Sequence, residues 1–472
     1  MGSWQLPSFH IIVLIELMSN RENRPDMSER KPRYRLAVFC LFTASLWPLS
    51  AMAQTTEPLL PVPQPPSGPQ APAAPGQPTY PGQTVTQRPR PELDPIGLRV
   101  GSFFVFPRAE VDEAFNNNIF AIASPTTSDL ITVLQPSFDV LSNFSRHAAN
   151  LHAGAPVQFY AAHPAQNTQN GFVTVDGRFD VTAGSSLFGS AQVAHLNVPR
   201  TSPDSPGNAA EPVTYNAYSA NAGYRQTGLR FAYQADVAVQ ATQYNAVPAI
   251  GGGVLPQSEG NVTISQAALR GSYELIPDYL GYTRLTGNLR EFEHTVPGGV
   301  RFNSSGYRAD VGLQILPRHI LSGEVYIGYL SQIFAVSGLG SISAPDAGGR
   351  LVWNVTRLTT LTFSGLRTLI QSNPSIGSTG AGYLASTAIA NVDHELLRNL
   401  LLNLNAGYEM DTFKGVSRTD NVFTAGAGFK FLLNRNLYLG GSYGFQQRNT
   451  SGPAAGIPYS QSILMVRLST QF

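Results

Sequence analysis

From residue 99 to the C-terminus, apolar and polar side chains alternate one by one, and tight turns take turns with long polar loops. On a strand, successive side chains point to opposite faces, so such a segment has one apolar and one polar face. In 303–316, Tyr307, Ala309, Val311, Leu313 and Ile315 form one face. Ser304, Gly306, Arg308, Asp310, Gly312 and Gln314 form the other. In 400–411, Leu400, Leu402, Leu404, Ala406, Tyr408 and Met410 alternate with Asn403, Asn405, Gly407, Glu409 and Asp411. Phe423, Ala425, Ala427, Phe429 and Phe431 alternate in the same way with Thr424, Gly426, Gly428 and Lys430.

A soluble β-sandwich has this alternation too, so the turns carry the distinction. Short connectors recur at 276–279, 316–319, 357–359, 397–399 and 433–436, at intervals of about 40 residues. Longer polar stretches lie between them, at 294–301, 334–346, 371–382 and 448–459. Two membrane-crossing strands of about 9–11 residues, a tight turn and a long loop fill such an interval. Further short turns are expected near Ser145, Gly184 and Gln226. The expectation is an all-β, transmembrane, antiparallel up-and-down barrel of 16–18 strands over residues 96–472, with both termini on the periplasmic side. No stretch after residue 53 holds 18 consecutive apolar residues, so no transmembrane helix is expected there. Hydrocarbon offers backbone groups no hydrogen bonds, and a sheet within it must close on itself.

The two ends of the chain fit export to the outer membrane. From Met27, Arg30, Lys31, Arg33 and Arg35 precede an apolar run from Leu36 to Leu46, and Ala51-Met52-Ala53 supplies small residues for cleavage before Gln54. Residues 1–53 therefore read as an N-terminal extension and signal peptide, with the start at Met27. Phe39 stands before Cys40 where a lipidation site needs a small residue, so lipidation is not expected. Residues 54–95 follow as a periplasmic linker without a core, because 13 of the chain's 35 prolines lie between Pro58 and Pro95. At the other end, Leu464, Val466, Leu468 and Phe472 form one outward row, a signal for the barrel-insertion machinery. Thr470 sits where that signal normally carries a larger apolar residue.

Charge narrows the partners. Charged residues are 13% of the chain, about half the usual share of roughly 25%. Residues 1–53 hold six Lys/Arg and four Asp/Glu, so 25 of 31 basic and 26 of 30 acidic residues remain beyond them. No basic field is left for nucleic acid. Cys40, the only cysteine, falls in the segment expected to be removed, which excludes disulfides and thiolate metal sites from the mature chain.

Catalytic and metal motifs are not found. His394-Glu395 lacks the second His of a zinc-protease helix, because Arg398 occupies that place. His147 and His152 point to opposite faces of a strand, and the Gly-rich 338–340 and 377–380 lack the Gly-Lys-Ser/Thr of a phosphate loop. No cofactor is expected. The candidate lumen-lining residues are Arg284, Arg290, Arg308, Asp310, Glu324, Glu409, Asp411, Lys430 and Arg467. They read either as a solvated wall of cross-strand ion pairs or as a path for a polar solute. Both signs are present, so neither cation nor anion preference follows.

The segment 88–120 is similar to the opening of a bacterial outer-membrane β-barrel porin family. The similarity rests on Arg90-Pro91-Glu92, Asp94-Pro95, Gly97-Leu98-Arg99, Gly101, Phe106-Pro107 and Phe115-Asn116-Asn117-Asn118-Ile119-Phe120. Leu134-Gln135-Pro136-Ser137 and Ser145-Arg146-His147 extend it, and beyond residue 150 the strand pattern alone continues it. The resemblance implies an outer-membrane barrel associated with exopolysaccharide or capsule export. It also implies contact with outer-membrane lipid and with a periplasmic export component. It brings no catalytic residues. The competing expectations are a general or substrate-specific diffusion porin and a structural or enzymatic barrel with a plugged lumen.

Overall fold

The computed structural model describes residues 82–296, 299–336, 339–374 and 382–472. The expected start at Met27, Cys40, the cleavage site and the 377–380 glycines lie outside the described residues. The described chain forms a closed barrel of 18 antiparallel strands. The first six strands are β1 (Phe103–Asn116), β2 (Asp129–Ser142), the interrupted β3 (Ala148–Gly154 and Val157–Tyr160), β4 (Gly171–Thr182), β5 (Ser185–Asn197) and β6 (Thr214–Thr227). Next come β7 (Phe231–Tyr244), β8 (Val262–Ile276), β9 (Tyr279–Phe292), β10 (Ser304–Ile315), β11 (Leu321–Phe334) and β12 (Ser341–Thr356). The last six are β13 (Thr359–Gln371), β14 (Gly382–Leu397), β15 (Leu400–Lys414), β16 (Thr419–Leu432), β17 (Leu437–Ser451) and β18 (Tyr459–Gln471). Each strand pairs with its sequence neighbours, and β1 pairs with β18 from Arg108↔Gln471 to Asn116↔Ile463. That last ladder removes both sheet edges, as hydrocarbon requires.

All eight expected short turns fall at or beside the junction of two consecutive strands that pair with each other. The long loop placed at 334–346 is shorter than expected, because 341–346 begin β12. The barrel is apolar outside. Leu285, Leu289, Tyr307, Val311, Ile327, Leu404, Phe423, Leu464, Val466, Leu468 and Phe472 are exposed, while Asp310, Glu324, Asp411 and Arg467 on the opposite face are buried. A soluble sandwich would bury the apolar face. Among the described residues no helix is long and apolar enough to cross a membrane.

Two departures from the up-and-down pattern matter. The β12–β13 ladder runs only from Gly349↔Gly365 down to Thr356↔Thr359, whereas β11–β12 continues up to Ile333↔Ser341 and β13–β14 up to Gln371↔Gly382. Above Gly365, therefore, β13 leaves the wall. The second departure corrects the expectation of a coreless linker through residue 95. Over residues 82–95 the chain instead lies against the barrel, with Val85 and Arg90 buried. Proline forbids helix and sheet interior but not a sequence of turns, and Gln87 N–H to Thr84 O and Leu93 N–H to Arg90 O close such turns.

Candidate functional site in the barrel lumen

The polar face of the strands is the inner one, and its ion pairs prove it geometrically. Arg270 on β8 reaches Glu324 on β11 at 3.0 Å, and Arg308 on β10 reaches Asp346 on β12 at 2.6 Å. Side chains two or three strands apart diverge on the convex side of a barrel and converge only on the concave side. Arg284 pairs with Asp310 on the adjacent strand at 2.8 Å. The guanidinium groups of Arg270 and Arg284 lie over the Tyr282 and Tyr326 rings, at 3.7 and 4.8 Å from the ring centroids. Such cations keep their charge partner and an aromatic face at once.

The candidate residues do not form one cluster. Arg284, Arg308, Asp310 and Glu324 stand on one wall. Glu409, which accepts a hydrogen bond from Thr387 at 3.0 Å, and the buried Asp411 stand on β15. Lys430 sits 3.9 Å from the centroid of Tyr438, whose hydroxyl donates to Glu110. Arg467 binds Asp112 at 2.6 Å and Glu110 at 3.0 Å, tying the last strand to the first. Arg290, at the outer end of β9, donates to the carbonyl of Leu369 at 3.1 Å. Sequence reasoning missed the partners Glu110, Asp112, Arg270 and Asp346. Asp112 was accessible, because it follows Glu110 on the polar side of Val111 and directly faces Arg467 in register. His152 turns to Asp139 and Asp176, at 2.6 and 3.2 Å, and His394 to Thr359, so neither shares a site with a second histidine.

The outer half of the lumen is narrowed from within. Leu369 and Leu384, on the outward side of the β13–β14 hairpin, pack against Phe334 and Ile342 and against Leu330 and Ala344, which point inward from β11 and β12. The outer ends of β13 and β14 thus sit inside the wall, behind β11 and β12. Its unpaired edge carbonyls are satisfied by arginines. Arg308 donates to Arg367 O at 2.7 Å, and Arg367 donates across the split to Pro345 O at 3.2 Å. At the tip, Asn373 N–H donates to Asp204 in the β5–β6 loop at 3.1 Å, and its side chain donates to Gln257 in the β7–β8 loop at 2.9 Å. Arg448 on β17 donates to Thr201 O at 3.0 Å. Loops from far around the ring therefore meet in the outer mouth. Burial there lifts the Asp204 carboxyl to about 6, against a weaker pull from Asn373 and Arg418.

The inner mouth is lined by residues 82–95. Gln83 O accepts from Asn354 at 3.1 Å, and Val85 N–H donates to Thr360 Oγ1 at 3.0 Å. Arg90, buried, pairs with Glu395 at 2.7 Å and also donates to Val85 O at 3.0 Å. Arg398 binds Glu92 at 2.8 Å, and Arg435 donates to Pro91 O at 2.6 Å. At the start, a β-carbon on Gly82 would stand 2.2 Å from Pro317 O, so only glycine permits this approach.

Residues 90–472 match the family described as "Putative beta-barrel porin 2". No curated protein matches the chain. Among solved structures, the outer membrane protein opdK of Pseudomonas aeruginosa is 12% identical, with 78% of this chain and 99% of that chain covered and a TM-score of 0.41. OccAB3 of Acinetobacter baumannii is 13% identical, with 79% and 100% covered and a TM-score of 0.41. The siderophore receptor PiuA of Acinetobacter baumannii is 10% identical, with 80% and 82% covered and a TM-score of 0.44. The chain belongs to the β-barrel porin family and is an outer-membrane protein.

Proposed function

We propose that this porin-family barrel is the outer-membrane conduit, or part of it, for a secreted polysaccharide. The observation that carries this reading is the chemistry of the inner wall. Four of its arginines are matched by carboxylates, in Arg270–Glu324, Arg284–Asp310, Arg308–Asp346 and Arg467–Asp112, and the half-buried Thr286, Asn288, Thr387, Asn403 and Asn405 stand on the same polar face. A wall of paired charges presents no net sign to a permeant, while hydroxyl and amide groups exchange hydrogen bonds with sugar hydroxyls. An 18-stranded barrel is wide enough for an aqueous lumen before anything folds into it. In this reading Arg284, Arg290, Arg308, Asp310, Glu324, Glu409, Asp411, Lys430 and Arg467 line the path. The outward row of Leu464, Val466, Leu468 and Phe472 serves the insertion machinery. The Pro-rich stretch before residue 82 reaches a periplasmic export component.

A substrate-specific porin is the second reading, and the narrowed outer mouth favours it. A barrel plugged for a structural role is the third, favoured by chain lying in both mouths. A clean deletion separates them. Loss of surface polysaccharide with small-solute uptake nearly unchanged is expected. Normal polysaccharide with loss of one nutrient's uptake would establish the porin. Normal polysaccharide, normal uptake and a weakened envelope would establish the structural barrel.

A further inference from the structure

We propose that residues 82–95 are a releasable latch on the periplasmic mouth, held docked by the Arg90–Glu395 ion pair, and that undocking widens the pore. The inference rests on the conduit reading and adds its regulation.

The placement is specific. In order along the segment, Gly82 meets the β10–β11 turn at Pro317. Gln83 and Val85 meet the β12–β13 hairpin at Asn354 and Thr360. Arg90 and Glu92 meet the β14–β15 hairpin at Glu395 and Arg398, and Pro91 meets the β16–β17 turn at Arg435. The segment thus runs past four successive short turns before the chain enters β1. Asn354, Thr360 and Glu395 are buried on the inner side of their strands, so it lies within the mouth rather than beneath it.

The contacts are of a kind that lets go. No residue of 82–95 joins a barrel ladder, so undocking breaks no strand pairing. Val85 is fully buried, and its main-chain N–H bonds to the wall at Thr360. Of the other contacts, Asn354 to Gln83 O is a single buried hydrogen bond, while Arg435 to Pro91 O and the Arg398–Glu92 pair are exposed and water replaces them at little cost. The Arg90–Glu395 pair is the exception. Both partners are buried, and Arg90 also holds Val85 O, which binds the segment to itself as well as to β14. One end of the segment is fixed to β1. The other continues into the Pro-rich sequence, and a pull on that sequence acts first on Gly82 and Gln83 and then on Arg90.

The test uses the full mature protein in planar bilayers, where the two introduced cysteines stand alone because Cys40 lies in the segment expected to be removed. V85C/T360C places two thiols on neighbouring residues, whose main chain and side chain are now joined by the Val85 N–H to Thr360 Oγ1 bond of 3.0 Å. Oxidation locks the latch and reductant frees it. A second protein replaces residues 83–94 by a Gly/Ser stretch of equal length, and heat-modifiable gel migration verifies that each variant is folded. Single-channel conductance is expected to be about twofold lower for the locked form than for the Gly/Ser form, with the reduced form between them. E395Q should shift the parent toward the Gly/Ser value. If the parent conducts and locked, reduced and Gly/Ser forms conduct equally, the latch is overturned and the conduit reading survives. If no form conducts, both fall. If conductance responds as expected but the deletion strain exports normal polysaccharide, the polysaccharide reading falls and the latch stands.

Discussion

Removing Arg467 tests whether the inner wall is a fixed, dry lattice of charges or a wet surface. Arg467 stands opposite Asp112 in the ladder that closes the barrel. Its Nε and Nη2 donate to the two Asp112 oxygens at 2.7 and 2.6 Å, and Nη1 lies 3.0 Å from Glu110. All three side chains are at most 8% exposed. Arg467→Ala leaves two buried carboxylates with Arg108, 3.4 Å from Glu110, as the remaining cation that pairs with either, while Tyr438 still donates to Glu110 and Gln135 to Asp112 at 2.6 Å. Breaking a buried pair in this way costs about 3–5 kcal/mol, against about 0–1 kcal/mol for an exposed one. Asp112→Ala should cost less, about 1–3 kcal/mol, because Arg467 keeps Glu110. The double variant removes both the cation and one carboxylate, so its cost should fall short of the sum of the singles by more than about 1 kcal/mol. The assay is urea unfolding of protein folded into vesicles, followed by the gel-shift of the folded band. A coupling energy within about 0.3 kcal/mol of zero would refute the reasoning and show that lumen water screens the pair.

Other outcomes follow from the same geometry. Val311→Arg, on the lipid face, should impair insertion by about 2–4 kcal/mol if it sits near mid-bilayer, and unchanged folding yield in vesicles would show that the register is wrong. Gly312→Ala, on the inner face, should also destabilise, because its β-carbon would stand 2.5 Å from the Tyr282 ring; unchanged urea midpoints would contradict that contact. The Asp204 carboxyl, at about 6 in the docked loop, lies above its usual 3.8, so the docked loop binds a proton more tightly than the free one. Docking is therefore strongest at low pH and weakens by at most about 3 kcal/mol as pH rises through the interval up to about 6. Channels should spend more time closed at pH 4.5 than at 7.5, and Asp204→Asn should abolish the difference. Mature protein should migrate faster unboiled than boiled in detergent gels, and identical migration would count against a closed sheet.

The wall of the barrel was legible because hydrocarbon enforces a binary rule at every residue. Around Val311, Leu404 and Phe423 the apolar set faces out and its neighbours face in, so a period of two reads the register directly. The turns were legible for a related reason. A tight hairpin needs Pro, Asn, Asp or Gly within a few residues, and 276–279, 316–319 and 433–436 supply them. Partners on distant strands were not legible in the same way. Arg270 and Glu324 are 54 positions apart and meet across two intervening strands, a relation fixed by barrel curvature rather than by spacing.

Where the alternation blurs, the chain does something other than span the membrane. In Ile342, Ala344 and Asp346 an inner face carries apolar and charged residues in succession, which no lipid-against-water rule predicts. The cause is the tucked hairpin: Ile342 and Ala344 face Leu369 and Leu384 instead of water, and Asp346 faces Arg308. The same cause hides Leu369, whose position on the strand marks it for lipid while its surroundings are the inner wall. The N-terminal segment misled in the opposite sense. Its composition speaks for an extended stretch without a core, and a composition rule does not see Glu395 waiting 305 positions away for Arg90. In both places the departures lie toward the ends of the barrel, where chain packs against the inner face of the wall. A barrel wall needs only the period-two rule, and a constriction must break it, since a segment lying inside the lumen turns part of an inner face from wetted to packed.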